Sequence, residues 1–165
     1  MISAAMLYFE QKEAGAISFY GETVTKCAFE FGIDANLIFA VIKAESNFDE
    51  NASSGKGAKG LMQIMPQTAD FISAKLHGRR NESDLFDYKV NIRYGTYYLR
   101  YLTDKYDDLL YVLTAYNAGE GNLDKWLTES GGEKFTAEDI PFGQTREYVK
   151  KTLRYYKKYK NKYNY

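Results

Sequence analysis

Glu45 stands where the residues around it ask for an apolar side chain. Leu37, Val41 and Glu45 recur at four-residue spacing, so on a helix the carboxylate shares the stripe of the two aliphatic residues. Removing a carboxylate from water is costly, so a Glu in such a place is paired, is neutral, or sits at a helix end that exposes it for no chemical reason. Burial would raise its pKa, and a carboxyl that keeps its proton near neutral pH is a general acid. Ser46 and Asn47 follow at once and mark the end of the helix, which would leave the carboxylate walled on one side and open on the other.

Other residues offer chemistry with less force. Gln63 lies among Leu61, Met62 and Ile64, and a buried amide there needs partners that a polar substrate could supply. Met62 and Met65 read first as core fillers. Tyr116 and Asn117, flanked by Ala115, Ala118 and Gly119, could hold a carboxyl or acetamido group. Equally, they could simply end a helix, with Gly119 in the left-handed conformation. The run Gly55-Lys56-Gly57-Ala58-Lys59-Gly60 has the form GxGxxG, but it follows a helix and a polar loop instead of a strand. A dinucleotide loop needs a strand before it and a helix after it, so these glycines read as tight turns or places of close approach. His77 and Cys27 are each the sole residue of their kind, which excludes a multi-histidine site, a thiolate cluster and an intrachain disulfide. The acidic residues lack EF-hand spacing, and neither a metal nor a cofactor is expected.

The elements that must position these groups are helical. Apolar spacing predicts a helix from Ser18 to about Phe31, stopped by Gly32, and a second that Asp34 caps and that carries Leu37 to Glu45. A polar loop follows Phe48. Pro66 opens a helix that runs to His77-Gly78, and Arg79 to Asp84 reads as a connection. A helix from Tyr88 or Asn91 to Tyr106 comes next, then one capped by Asp107-Asp108 and stopped at Gly119. A short helix over Asn122 to Leu127 and a final one capped by Thr145 complete the chain. No alternating strand pattern and no internal repeat is evident.

Composition narrows the class. A chain of 165 residues fits one domain with one core, and 45% hydrophobic with 27% charged residues is ordinary for a folded protein in water. Twenty-two basic residues balance 22 acidic ones, which argues against whole-domain steering toward a polyanion. The basic tail from Arg146 onward could contact nucleic acid or an anionic wall polymer, but it reads better as a terminal helix with a solvated basic face, and no nucleic-acid partner is expected. No apolar run approaches the length of a membrane span, and the N-terminus lacks a basic region before its short apolar patch, so no signal peptide is visible. Tyrosine is abundant, at 16 residues, and suits sugar rings, bases and interfaces alike.

Taken in order, four motifs resemble the soluble lytic transglycosylase (SLT domain) family of the lysozyme-like superfamily. They are Glu45-Ser46 with Phe48; Ala52 to Gly55 and Gly60-Leu61-Met62-Gln63-Ile64-Met65-Pro66 with Thr68-Ala69; Asn91-Ile92 with Gly95; and Ala115 to Gly119. A last match is Ile140-Pro141-Phe142 with Thr145-Arg146 and Tyr148-Val149, and the similarity spans about residues 17 to 158 of a single domain, leaving a short N-terminal extension. The resemblance implies a mainly α, lysozyme-like fold with a glycan-binding groove. It also implies cleavage of the β-1,4 bond between N-acetylmuramic acid and N-acetylglucosamine in peptidoglycan, leaving a 1,6-anhydromuramic acid end. Glu45 would be the sole catalytic carboxylate, Tyr116 would hydrogen-bond it, Ser54 and Gln63 would contact acetamido or hydroxyl groups, Met65 would line the groove and Asn117 would support the site. The family usually carries a glutamate before the Thr-Arg pair, where this sequence has Gln144, which keeps the shape and loses the charge. A monomer acting on glycan strands in the cell envelope or outside the cell is expected. Two alternatives stay open: a hydrolytic muramidase on the same fold, and a non-catalytic peptidoglycan-binding module, which Gln144 would favour.

Overall fold

The structure, a computed structural model, describes residues 4–78, 84–131 and 134–163. Its helices are α1 (Ala4–Phe31), α2 (Ala35–Ser46), α3 (Pro66–His77), α4 (Tyr88–Lys105), α5 (Leu109–Ala118), α6 (Glu120–Glu129) and α7 (Gly143–Lys162), with a 3-10 turn at Ala137–Asp139. Among the described residues no strand forms, and the only β-type pairings are isolated bridges joining Lys59 to Ser53 and to Ile64.

Asp34 starts the helix around which the others pack. Its carboxylate accepts the N–H of Asn36 at 2.8 Å, which satisfies one of the donors a helix start leaves open. Every residue from Ala35 to Ile42 is buried, not only the stripe that the periodicity predicts, because α2 lies between α1 and α7 and has no solvent face there. Burying Leu37, Ile38, Phe39, Val41 and Ile42 stabilises the fold by about 1.5–3 kcal/mol each. Asn47 ends the helix with φ 53°, its N–H donating to the carbonyl of Lys43. Glu45 therefore sits in the last turn, where the core gives way to the surface.

The first helix begins at Ala4, well before the predicted Ser18. Glu13 explains the difference. It is buried between Lys43 of α2 and Lys158 of α7, each at 2.8 Å, so an ion triad fastens the N-terminal half of α1 where apolar spacing alone is weak. Burial by itself would push Glu13 up, but hydrogen bonds from Lys158 and Lys43 outweigh it and hold the carboxyl below its ordinary value.

The bounds of α3, with Pro66 in its first turn and Gly78 at φ 68°, follow the sequence reading, and Asp87 and Asp108 cap α4 and α5. Helix α6 extends beyond the predicted Asn122–Leu127 at both ends. Gly119 has φ 88° and ψ 145°, so it is not left-handed helical as expected; it makes the sharp turn that both ends α5 and starts α6. Most of the predicted connection after Gly78 lies outside the described residues. Thr145 does not cap α7, which already starts at Gly143; its hydroxyl reaches a residue of α5 instead.

Candidate active site

The loop between α2 and α3 forms one wall of a groove, and a single buried side chain pins it. Asn91, in the first turn of α4, accepts the N–H of Met62 at 2.7 Å and donates to the carbonyls of Lys59 and Leu85, both at 2.8 Å. Two glycines make room for this staple. A Cβ on Gly60, whose φ is 74°, would collide with the Asn91 amide, and a Cβ on Gly95 would collide with the side chain of Met62. The loop also ties itself. Gly60 N–H donates to Ala52 O at 2.8 Å, Ala58 N–H donates to Ser54 Oγ at 3.0 Å, and Gln63 Nε2 donates to the carbonyls of Ala52 and Gly60. Gln63 holds φ 48° at this point, one of three non-glycine residues with positive φ among the described residues; the other two, Asn47 and Phe48, follow Glu45. Backbone of this kind persists only where its surroundings over-determine it.

A groove of about 730 Å³ runs between this loop, the end of α2, the end of α5 and one face of α7. All seven residues singled out by sequence line it: Glu45, Ser54, Gln63, Met65, Tyr116, Asn117 and Gln144. Met62, by contrast, is fully buried, whereas Met65 is exposed. Glu45 is half-buried as a residue, with access from the groove, yet its carboxyl is deep enough that burial pushes its pKa up to about 7. A contact from Tyr148 and the charge of Lys151 act the other way and limit the rise. The carboxyl is thus poised to give up and take back a proton near neutral pH.

The partners of that carboxyl differ from expectation. Tyr116 donates its hydroxyl proton to the carbonyl of Met62 at 3.0 Å, so it braces the loop instead of holding Glu45. The tyrosine that faces the acid is Tyr148, whose buried hydroxyl has no partner of ordinary hydrogen-bond geometry, and each of the two groups perturbs the other. Lys151 sits beside them, its Nζ donating to the carbonyl of Ala44 at 2.9 Å. The sequence offered one signal for this set: Gln144, Glu147, Tyr148, Lys151 and Arg154 share one face of a helix at i, i+3, i+4, i+7 and i+10, and all line the groove. Without knowing which face of α7 turns inward, that spacing was not separable from an ordinary amphipathic pattern.

The remaining residues have defined duties. Asn117 is exposed, lines the groove and accepts the hydroxyl proton of Thr145 at 2.8 Å, which joins α5 to α7 and leaves its amide protons to donate. With both amide protons of Gln63 committed to the backbone, its carbonyl oxygen is the group left to receive a hydroxyl. Ser54 accepts from Ala58 and keeps its own proton to donate. Gln144 is exposed near the start of α7.

Residues 22–138 match the profile described as "Transglycosylase SLT domain". The chain belongs to the transglycosylase SLT domain family. An SLT-domain relative, the soluble lytic murein transglycosylase of Escherichia coli (strain K12), is 36% identical over 129 residues, covering 74% of this chain and 20% of its own length. The membrane-bound lytic murein transglycosylase C of Edwardsiella ictaluri is 34% identical over 125 residues, covering 69% of this chain and 35% of that protein. The solved 70 kDa soluble lytic transglycosylase of E. coli superposes with a TM-score of 0.78 at 34% identity, over 86% of this chain and 24% of that one. This SLT domain therefore spans about a fifth to a third of the length of these relatives. Their fold is the mainly helical, lysozyme-like one that the motifs imply. No described helix is long and apolar enough to cross a membrane.

Proposed function

We propose that this chain is a peptidoglycan lytic transglycosylase domain. Its substrate is the glycan strand, and it cleaves the β-1,4 bond after N-acetylmuramic acid in the cell envelope or outside the cell, as a monomeric single domain. The observation that carries this reading is Glu45: a carboxyl with a pKa near 7, in the last turn of a buried helix, opening on a groove lined by hydroxyl and amide side chains that can hydrogen-bond a sugar. Protonated Glu45 gives its proton to the glycosidic oxygen as the bond breaks. The substrate's own acetamido oxygen stabilises the oxocarbenium-like carbon that remains. Glu45, now a carboxylate, then takes the proton of the sugar's C6 hydroxyl as that oxygen closes onto C1. No water is consumed, and the acid leaves the cycle as it entered. The relatives' names point the same way, and a solved relative, lytic transglycosylase Slt of Pseudomonas aeruginosa, is an inactive Glu-to-Gln variant.

One observation favours a second reading. Glu147 also lines the groove and could activate a water, as the second carboxylate of a hydrolytic glycosidase does. Mass spectrometry of a sacculus digest separates the two, because hydrolysed ends are heavier than anhydro ends by one water. Anhydro products that vanish in Glu45→Gln support the transglycosylase; hydrolysed ends that vanish in Glu147→Gln support the muramidase.

A further inference from the structure

Cations elsewhere on the molecule are commonly matched by carboxylates. Arg93 pairs with Glu30, Lys105 with Glu120 and Asp124, and Lys150 of α7 with Glu138. The groove differs. Lys56 at the loop tip, and Lys151 and Arg154 on α7, all line it, and among the described residues none of the three lies within ion-pair distance of a carboxylate, although the charge of Lys151 is felt by Glu45. Glu147 is the one lining anion besides Glu45. A groove with surplus positive charge, in a chain whose 22 basic and 22 acidic residues cancel, calls for an anionic ligand. The hydroxyl and acetamido groups of the sugar rings supply none, since they are neutral. The anionic groups of the polymer are carboxylates, either on the lactyl ether of muramic acid where it is bare or on the peptide stem attached to it.

We propose that Lys56, Lys151 and Arg154 form a carboxylate-binding wing of this groove that reads the lactyl-peptide side of the strand. The assignment rests on the glycan-cleaving reading above. Lys151 is fixed against Ala44, next to Glu45, so it meets groups close to the bond being broken. Arg154 lies about 4.5 Å further along the helix axis, where a planar fork can take a carboxylate in two hydrogen bonds. Lys56 lies across the groove from them, on the loop, and presents a point charge on a four-carbon stem.

The test pairs the double variant Lys56→Gln with Arg154→Gln against substrate charge, in the full chain. Substrates are stem-bearing sacculi and strands stripped of their stems, each also with its carboxylates converted to neutral amides. Neutralising the substrate should cost the wild type about ten-fold in turnover, and the variant should lie about ten-fold low on the charged form and lose less than about two-fold more on the neutral one. Coupling on sacculi alone assigns the stem carboxylate; coupling on stripped strands alone assigns the lactyl group. A wild type indifferent to neutralisation, or a variant equally impaired on charged and neutral forms, overturns the wing. Co-sedimentation with the same four materials reads binding alone. If no product ever forms, the lytic reading fails while the wing is still judged by whether retention needs both the cations and the carboxylates.

Discussion

The side-chain oxygen of Asn91 accepts the backbone N–H of Met62 at 2.7 Å, and the same side chain's two amide protons hold the carbonyls of Lys59 and Leu85. One buried amide thus spends every useful bond on a loop 29 to 32 residues away in sequence or on the chain just before α4. Asn91→Ala leaves the Met62 N–H and the Leu85 carbonyl without partners, at about 1–3 kcal/mol each, and takes one of two donors from the Lys59 carbonyl, which keeps the N–H of Ile64. Urea unfolding is expected to show a loss of about 3 kcal/mol or more. Folded protein near its midpoint should have lost glycan cleavage before global unfolding, because the groove wall loosens first; activity and ellipticity falling together would contradict this.

The acid's pKa sets the pH profile. With Glu45 at about 7, the protonated form needed for the first step is depleted above that pH, so kcat/KM should fall on the alkaline side with an apparent pKa near 7. Lys151 lowers the value by its charge, and Lys151→Met removes that charge. The alkaline limb of the variant should therefore move to higher pH, and a shift to lower pH would show that the lysine acts otherwise.

Folding stability carries the same signature with a definite sign. The folded pKa of Glu45 is above its unfolded value of 4.5, so the folded state binds the extra proton between the two. Stability attributable to this group is complete below about 4.5 and is lost as pH rises toward 7. Glu45→Gln cannot ionise and escapes that loss. It should abolish anhydro product while gaining about 1–3 kcal/mol over the wild type at pH 8, the range allowing for the residue's remaining solvent access, and the two proteins should converge near pH 4. Guanidinium denaturation at the two pH values measures it.

Much of this was legible in the residues, and the omissions have physical causes. Caps and stops such as Asp34, Pro66, Asp108 and Gly78 act through the backbone nearest them, so local sequence reveals them. The start of α1 depends on Glu13 meeting lysines of α2 and α7, and such long-range pairing leaves no local trace. The same holds in the groove. Seven of the lining residues are identifiable by type and motif, but which tyrosine faces Glu45 is decided by how α5 and α7 pack, and Tyr148 takes the place beside the acid that was expected of Tyr116.

Those two tyrosines should separate cleanly. Tyr116→Phe removes a hydrogen bond to the carbonyl of Met62, with an expected cost of about 1 kcal/mol and no displacement of the pH profile beyond what a loosened loop imposes. Tyr148→Phe removes a buried hydroxyl that lacks a partner of ordinary geometry, so stability should hold or rise slightly. Its readout is the alkaline limb, which should move up because the contact that lowers the pKa of Glu45 is gone. The reverse pattern, a stability loss at 148 and a pH shift at 116, would restore Tyr116 as the residue that holds the acid.

Gln144 poses the last question, since the resemblance to the SLT family leads one to expect a glutamate there. Gln144→Glu puts a carboxylate in the first turn of α7, where the positive end of the helix favours it by about 0.3–1 kcal/mol, so a modest rise in melting temperature is expected. The new charge shares the groove with Glu45 and disfavours its ionisation, so the alkaline limb should again move up. If the wild type already releases anhydro ends, turnover at pH 7 should change by less than about ten-fold, because the proton donor is in place without the second charge. A wild type that only binds sacculi, paired with a Gln144→Glu variant that cleaves them, would instead identify the natural chain as a binding module silenced at this one position.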